Sequence, residues 1–210
     1  MHSDGAQPDA STLTACWSCD GAVDSGAPFC HFCGLIQPSR PIDHYARLGI
    51  RRAFDVDLPE LERQYFGFQR RFHPDRFANK PAAERAHSLQ HATSLNKAYE
   101  TLKSPLTRAN YLLELLGRPL LDDNAQTIND PALLMEAMEM RETLADGDTT
   151  ALRALGAETE TKIDVCCREL SAAFVTTDLE GARNLALRLT YLSKIAGEAK
   201  SQLRRGADEE

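Results

Sequence analysis

The chain has 210 residues, of which 42% are hydrophobic and 26% are charged, a composition typical of globular proteins with a buried core. No stretch approaches the roughly 18 consecutive apolar residues of a membrane span, so we expect no membrane insertion. The net charge of −7 is uneven, at −4 over residues 1–39, +5 over 40–119 and −8 over 120–210. Because nucleic-acid-binding surfaces are basic, this distribution argues against a nucleic-acid partner and indicates two macromolecular partners of opposite charge.

Residues 1–15 are rich in small and polar residues, which predicts a disordered tail. The first 39 residues contain no Lys or Arg, so neither a secretory signal nor an Arg-rich presequence is visible. We therefore expect a cytoplasmic protein, or a mitochondrial one if the numbering starts at a processed N-terminus.

Residues 16–36 carry two Cys-x-x-Cys pairs, Cys16 with Cys19 and Cys30 with Cys33, separated by ten residues. Two such pairs on tight turns can close a tetrahedral thiolate site around one ion, without an open position for a substrate. We therefore predict a structural metal site. Zinc is favoured, although a rubredoxin-like iron site uses the same ligands. Two disulfides or a redox dithiol are alternatives, but the sequence shows neither an export signal nor a βαβ context.

Residues 41–116 predict a short helix followed by two amphipathic helices that flank the tripeptide His73-Pro74-Asp75. The apolar positions recur at steps of three and four, at Leu58, Leu61, Tyr65, Phe68 and Phe72 and then at Leu89, Ala92, Leu95, Tyr99 and Leu102. Pro74 disfavours a helical conformation of the residue before it, so the first helix must end there. We predict an antiparallel hairpin with the tripeptide at its exposed tip, an arrangement that resembles a J domain.

His73 and Asp75 could instead form an acid–base dyad, but such a dyad requires a concave pocket, and a tip between paired helices is convex. The tip is better suited to be held by another protein, and we expect the chain not to be an enzyme. The face of the first helix opposite its apolar stripe carries Arg63, Gly67, Arg70 and Arg71.

Residues 117–205 predict three long helices, at about 131–145, 150–176 and 179–204, in an antiparallel bundle. The first of them carries a core-facing stripe, formed by Leu133, Ala137, Met140 and Leu144. A second apolar face carries Leu134, Met135 and Met138, flanked by Glu139, Arg141 and Glu142. This face is either buried between neighbouring helices or a partner surface, in which adaptable methionines lie within a polar rim. Cys166 and Cys167 fit small buried or half-buried positions.

These motifs, in this order, resemble the HscB-type J-domain co-chaperones of iron–sulfur cluster assembly. The hairpin resemblance rests on "DHYARLGI", "HPDRF" and "LNKAYETLKSPLTRANYLLEL". The stretch "LLMEAMEMRETL" resembles the scaffold-binding region of the same proteins. The tetracysteine unit is similar to the metal-binding extension of the animal mitochondrial members and some bacterial ones.

The resemblance implies an all-α fold with a zinc-ribbon or rubredoxin-like knuckle unit in front, a helical-hairpin J domain and a C-terminal three-helix scaffold-binding domain. It implies that a DnaK/HscA-type chaperone is contacted by His73, Pro74, Asp75, Arg63, Arg70 and Arg71. It also implies that an IscU-type scaffold is held by Leu134, Met135, Met138, Glu139, Glu142 and Tyr191. Gly67 departs from the family pattern, because a longer side chain is expected there.

Two other functions are alternatives to this interpretation. A general J protein would bind unfolded clients through the cysteine unit and show no preference for the scaffold. A zinc-ribbon nucleic-acid adaptor would need basic residues near the cysteines, and residues 1–39 have none.

Overall fold

The computed structural model describes residues 13–24, 26–120, 131–146 and 148–208. Over these ranges the chain is mainly helical, so the predicted all-α class is confirmed. Its strands are β1 (Leu13–Ala15) and β2 (Ala22–Asp24). Its helices are α1 (His44–Leu48), α2 (Leu58–Phe72), α3 (Ala82–Lys103), α4 (Pro105–Leu115), α5 (Pro131–Asp146), α6 (Thr149–Val175) and α7 (Leu179–Asp208). Residues 1–12 of the predicted tail and the loop expected over 122–130 lie outside the described residues. Residues 13–15, which were also expected to belong to the tail, instead form β1, which pairs antiparallel with β2.

The chain divides into two compact units. The first combines Met1–Arg51 with Asp57–Glu100, and the second combines Arg52–Val56 with Thr101–Glu210. None of the helices that the structure describes is long and apolar enough to cross a membrane.

Helix α2 has a local sequence signal at each of its ends. The side chain of Asp57 caps its N-terminus by accepting a hydrogen bond from the Glu60 amide at 3.2 Å. At its C-terminal end His73 leaves the helical region, with φ −57° and ψ 127°, and Pro74 starts a 3-10 helix over Pro74–Phe77. The tripeptide therefore terminates the helix as expected.

Helices α2 and α3 pair antiparallel through large side chains. At one end, the rings of Tyr65 and Tyr99 stack with centroids 4.2 Å apart, and the Tyr65 hydroxyl donates to Asn96 Oδ1 at 3.0 Å. At the other end, Ser88 Oγ donates to the carbonyl oxygen of Phe72 at 2.7 Å. The predicted hairpin is thus confirmed.

The buried stripe of α3 differs from the predicted one. Leu95, Tyr99 and Leu102 are buried, but Leu89 is exposed, and so the prediction for Leu89 was wrong. On the same turn of α3, Ser88 and His91 are buried instead of Leu89. A polar side chain can take a core position when its hydrogen bonds are satisfied, as those of these two residues are.

The three predicted C-terminal helices correspond to α5, α6 and α7, with α6 and α7 packed along each other and α5 against both. The Asp148 carboxylate caps α6 by accepting from the Thr150 amide at 2.8 Å. The α6–α7 turn uses Thr177 at φ 61°, after which Asp178 Oδ1 accepts from the Gly181 amide at 2.9 Å. The buried core includes Leu170, Ala186, Leu189, Leu192 and Ile195.

The segment Arg52–Val56 belongs to the second unit, which the sequence did not indicate. Phe54 is buried there and stacks on Phe174, with centroids 5.4 Å apart. The Arg108 guanidinium lies 5.2 Å from the centre of the Phe54 ring, and its Nη1 donates to the Leu102 carbonyl at 2.6 Å.

Candidate functional site

The four cysteines of the N-terminal unit converge as a metal site requires. Cys16 Sγ lies 3.7 Å from Cys33 Sγ, Cys19 Sγ lies 3.7 Å from Cys30 Sγ, and all four sulfurs lie within 4.8 Å of one another. A tetrahedral site with Zn–S bonds of about 2.3 Å has sulfur–sulfur edges of about 3.8 Å. The thiols are free, and 3.7 Å is far longer than a disulfide bond, so the disulfide alternative was wrong. The group can hold one metal ion.

The two Cys-x-x-Cys segments adopt the same knuckle conformation. In each, the first cysteine amide donates to the carbonyl five residues later, from Cys16 to Gly21 and from Cys30 to Leu35, both at 2.9 Å. In each, the residue four positions after that cysteine has a positive φ, 57° at Asp20 and 73° at Gly34. The sequence spacing did not reveal this local repeat, although the Asp-Gly and Gly residues after each pair are consistent with it.

Backbone and side-chain donors surround the sulfurs. The Ser18 and Phe32 amides lie 3.4 Å from Cys16 Sγ and Cys30 Sγ, and Gln37 Nε2 donates to Cys16 Sγ, also at 3.4 Å. Desolvation opposes ionisation of Cys16, but hydrogen bonds from the Ser18 and Cys19 amides and the neighbouring thiols outweigh it, lowering the Cys16 pKa to about 6. The environment therefore favours a thiolate at Cys16, the form that binds metal. Despite the hydrogen bond from the Gly21 amide, desolvation and the neighbouring thiols raise the pKa of Cys19 to about 12, and the pKa of Cys33 is also raised. Metal binding would displace the remaining protons.

The His-Pro-Asp tip carries two exposed side chains. The side chain of His73 is 50% exposed and that of Asp75 is 91% exposed. His73 Nδ1 accepts a hydrogen bond from the Asp75 amide at 3.3 Å, whereas it lies 3.6 Å from Asp75 Oδ2, beyond hydrogen-bonding distance. The geometry favours a contact loop over an acid–base dyad.

The arginines of α2 are exposed, as expected, but they differ in their local contacts. Arg63 pairs with Glu60 on its own helix, and Arg70 Nε donates to the Phe66 carbonyl at 3.3 Å. The Arg71 guanidinium lies 5.2 Å from the centre of the Phe29 ring. A Cβ added at Gly67 would meet no atom within 4 Å, so the missing side chain leaves a gap on this face.

The tetracysteine unit contacts the α2–α3 hairpin directly. Phe29 stacks on Phe72, with centroids 5.7 Å apart, and His91 Nε2 lies 2.9 Å from the carbonyl oxygen of Gln37. Trp17 meets the ring of His87 edge-on at 5.6 Å. Sequence reasoning missed Gln37 and His91, and the only sequence signal was a histidine at a core-facing position of α3.

Helix α5 separates its two apolar faces as predicted. Ala137, Met140 and Leu144 are buried, whereas Leu134, Met135 and Met138 are 49%, 64% and 59% exposed. The alternative that neighbouring helices bury the second face is therefore wrong for these residues. Glu139 and Glu142 are exposed beside them, and the half-buried Tyr191 donates from its hydroxyl to the Ala137 carbonyl at 2.5 Å. The side chain of Leu133 lies outside the described residues.

An ion-pair cluster holds α5 against α6 and α7. Lys162 Nζ lies 2.8 Å from Glu136 Oε1, and Arg188 Nη2 lies 3.2 Å from the same oxygen. Burial opposes ionisation of Glu136, but the hydrogen bonds from Lys162 and Arg188 outweigh it and lower the Glu136 pKa. Sequence reasoning did not find this cluster, because its partners are distant in sequence.

The remaining candidates have ordinary structural explanations. His31 is exposed and does not belong to the tetracysteine group. Cys166 is buried, its thiol donates to the Leu185 carbonyl at 3.3 Å, and burial raises its pKa to about 11. Cys167 is half-buried, as predicted.

Two family models match the chain. The model described as the DnaJ domain matches residues 43–111, and the one described as the HSCB C-terminal oligomerisation domain matches residues 129–200. The iron–sulfur cluster co-chaperone protein HscB of Mus musculus is 34% identical over 190 residues, covering 88% of this chain and 81% of that protein.

Solved structures give the same result. The crystal structure of human co-chaperone protein HscB superposes with a TM-score of 0.83 at 32% identity, covering 88% of this chain and 96% of that one. Chaperone HscB from Vibrio cholerae superposes with a TM-score of 0.69 at 29% identity, covering 80% of this chain and 99% of that one.

Proposed function

Because the chain belongs to the HscB family of iron–sulfur cluster co-chaperones, we propose that it stimulates the ATPase of a DnaK/HscA-type chaperone and delivers an IscU-type scaffold to it. The observation that carries this proposal is that one chain presents two separate exposed surfaces. One is the His-Pro-Asp tip with its arginine face, and the other is the apolar face of α5.

The first surface suits the chaperone. His73, Pro74 and Asp75 project from the end of a helix, where a partner can surround them. Arg63, Arg70 and Arg71 carry positive charge along the same helix, within the region of net charge +5. Exposed arginines can pair with carboxylates of an acidic groove and accelerate association.

The second surface suits the scaffold. Leu134, Met135 and Met138 form an apolar patch, and Glu139 and Glu142 supply a charged rim beside it. Tyr191 touches the same helix from α7 through the Ala137 carbonyl. An adaptable apolar centre within a polar rim is the usual anatomy of a protein interface.

The protein then acts by bringing two partners together. Contact at the tip would promote ATP hydrolysis by the chaperone while the α5 face holds the scaffold beside it. Hydrolysis would lock the chaperone onto the scaffold and assist cluster transfer. Both surfaces act by binding a partner, and we propose that the protein is not itself an enzyme.

The metal of the tetracysteine site is proposed to be zinc, held by Cys16, Cys19, Cys30 and Cys33. Four thiolates with tetrahedral spacing complete its coordination and leave no position for a substrate. The ion would therefore fold the unit rather than take part in chemistry. The domain limits at 16–36, 41–116 and 117–205 and the cytoplasmic location stay predictions from the sequence.

A general J protein for unfolded clients is disfavoured. The match of residues 129–200 to the HscB C-terminal model gives the second half of the chain a family-specific role that a general co-chaperone does not need.

The decisive experiment measures ATP hydrolysis by a DnaK/HscA-type chaperone with this protein, with the scaffold, and with both. We expect stimulation by the protein alone and greater stimulation with both together. A further arm replaces the scaffold with an unfolded polypeptide. Equal stimulation of the chaperone ATPase in these two arms would support the general J protein instead. No stimulation under any condition would refute the proposal.

A further inference from the structure

We propose that the tetracysteine unit positions the His-Pro-Asp tip, with Phe29 and His91 as positioning residues for chaperone stimulation. This inference rests on the proposed function, because it assigns a role within the same chaperone-contacting surface. It gives the unit a task beyond holding its own fold.

The first link is Phe29, which directly precedes the metal-ligating Cys30. Its ring lies nearly parallel to that of Phe72, at 15° and 5.7 Å between centroids. The Arg71 guanidinium lies 5.2 Å from the centre of the same Phe29 ring. One aromatic side chain of the second knuckle therefore contacts the two residues that come immediately before His73.

The second link runs through Gln37 to His91. The side-chain Nε2 of Gln37 donates to Cys16 Sγ at 3.4 Å, and the backbone carbonyl oxygen of Gln37 lies 2.9 Å from His91 Nε2. The His91 ring in turn stacks on Phe72 at 15°, with centroids 4.5 Å apart. A continuous series of contacts thus joins a metal ligand to the last residue of α2.

Phe72 is the residue through which such contacts can act on the tip. It is buried, and its carbonyl, which forms the peptide bond to His73, accepts a hydrogen bond from Ser88 Oγ at 2.7 Å. The exposed side chains of His73 and Asp75 have little packing of their own. Because helix ends fray unless they are fixed, the direction of the tip depends on how firmly Phe72 is held.

The test compares Phe29→Ala with Phe32→Ala as a matched control. Phe32 lies in the same knuckle, two residues after Cys30, but it is 65% exposed and its ring packs on His31, with centroids 4.1 Å apart. We expect Phe29→Ala to raise the half-maximal concentration for ATPase stimulation by about fivefold, the factor that corresponds to one lost aromatic pair. Phe32→Ala should leave this half-maximal concentration unchanged. Phe29→Tyr, which keeps the aromatic ring, should have the half-maximal concentration of the wild type.

Two further measurements separate positioning from simple damage. Metal content per chain and scaffold affinity should equal those of the wild type in Phe29→Ala, whereas amide exchange at Asp75 and Arg76 should become faster. If Phe29→Ala fails to fold or loses its metal, His91→Ala removes the other ring from Phe72 at a position outside the two Cys-x-x-Cys knuckles. It should give the same rise and the same faster exchange.

The outcomes distinguish this inference from the proposed function. If the wild type stimulates ATPase but both Phe29→Ala and His91→Ala match it in half-maximal concentration and in exchange, the positioning role is overturned and the proposed function stands. If the wild type itself does not stimulate, the proposed function fails, and the exchange measurement alone then decides whether the cysteine unit holds the tip.

Discussion

His91 donates a hydrogen bond from Nε2 to the carbonyl oxygen of Gln37 across 2.9 Å, and both residues are buried. Because a carbonyl oxygen only accepts, Nε2 must carry the proton, and the other ring nitrogen is free of one in the neutral form. Gln37 is also bonded to Cys16 Sγ through its side chain. This pair therefore ties the metal-binding unit to the middle of α3.

The burial of His91 should make the folded state less stable at acidic pH. Burial, with smaller contributions from the charges of Arg47 and His87, lowers the pKa of His91 below 6.5, and only the hydrogen bond to Gln37 opposes this shift. The folded state therefore binds fewer protons than the unfolded state, so its stability is complete above about pH 6.5 and falls as the pH drops below that value. We expect His91→Gln to remove this part of the pH dependence.

Chemical unfolding of wild type and variant at about pH 8 and about pH 5.5 measures the effect. Wild type should lose more stability than His91→Gln between the two pH values. Equal losses would mean that His91 is not held in its neutral form.

Removing the metal should loosen the tip while leaving the helices formed. None of the described helices lies within residues 16–36, and the α2–α3 pairing at Tyr65 and Tyr99 does not involve this segment. We expect about one zinc ion per chain, lost in Cys16→Ser and in Cys33→Ser, with nearly unchanged helical circular dichroism. Amide exchange next to Phe72 should become faster.

His31→Ala is the matched control, because His31 is exposed beside the ligands without belonging to their group. It should retain the full metal content. Melting of the helices by a chelator would contradict this prediction.

Replacing Gly67 should stabilise the protein. It lies in the interior of α2, where glycine costs up to about 1 kcal/mol relative to alanine. A Cβ at this position meets no atom within 4 Å, so Gly67→Ala introduces no clash. We expect the free energy of unfolding to rise by up to about 1 kcal/mol, measured by denaturant titration. A decrease would show that position 67 does not accept a Cβ without a clash.

His73→Gln should abolish chaperone stimulation without harming the fold. The His73 side chain is half-exposed, and within the described parts of the chain its one hydrogen bond is accepted from the Asp75 amide. We expect an unchanged melting temperature and unchanged scaffold affinity, together with loss of ATPase stimulation. Normal stimulation by the variant would show that the tip does not contact the chaperone.

The elements of this fold were predictable where their signals are local. Pro74 ends α2, Asp57 and Asp148 cap the helices that follow them, and each signal lies within a few residues of its effect. The convergence of the four cysteines was predictable for a similar reason, because their spacing matches the needs of one tetrahedral ion.

Other features could not be predicted because they join distant residues. Gln37 and His91 are 54 positions apart, and nothing in either neighbourhood indicates the other. Apolar periodicity assigned Leu89 to the core, but the hydrogen bonds of Ser88 and His91 allow these polar residues to be buried instead. A pattern based on hydrophobicity cannot anticipate such partners.

The apolar face of α5 should be the centre of the scaffold interface. Leu134 and Met138 lie one turn apart and are about half-exposed or more, so truncating them removes contact area from the surface and little from the core. We expect Leu134→Ala combined with Met138→Ala to weaken scaffold affinity by at least about 2 kcal/mol, as expected for an interface centre. Calorimetric titration of the scaffold measures this change.

Met140→Ala is the matched control, since Met140 lies on the same helix but is buried. It should lower the stability of the protein by about 2–5 kcal/mol, whereas the double variant should change it little.

Stimulation of the chaperone without scaffold should be unaffected in the double variant, because that activity depends on His73 and Asp75. The ion pairs of Glu136 with Lys162 and Arg188 should keep α5 in place when the exposed side chains are shortened. A large fall in melting temperature with scaffold affinity intact would show that this face stabilises the fold rather than binding the scaffold.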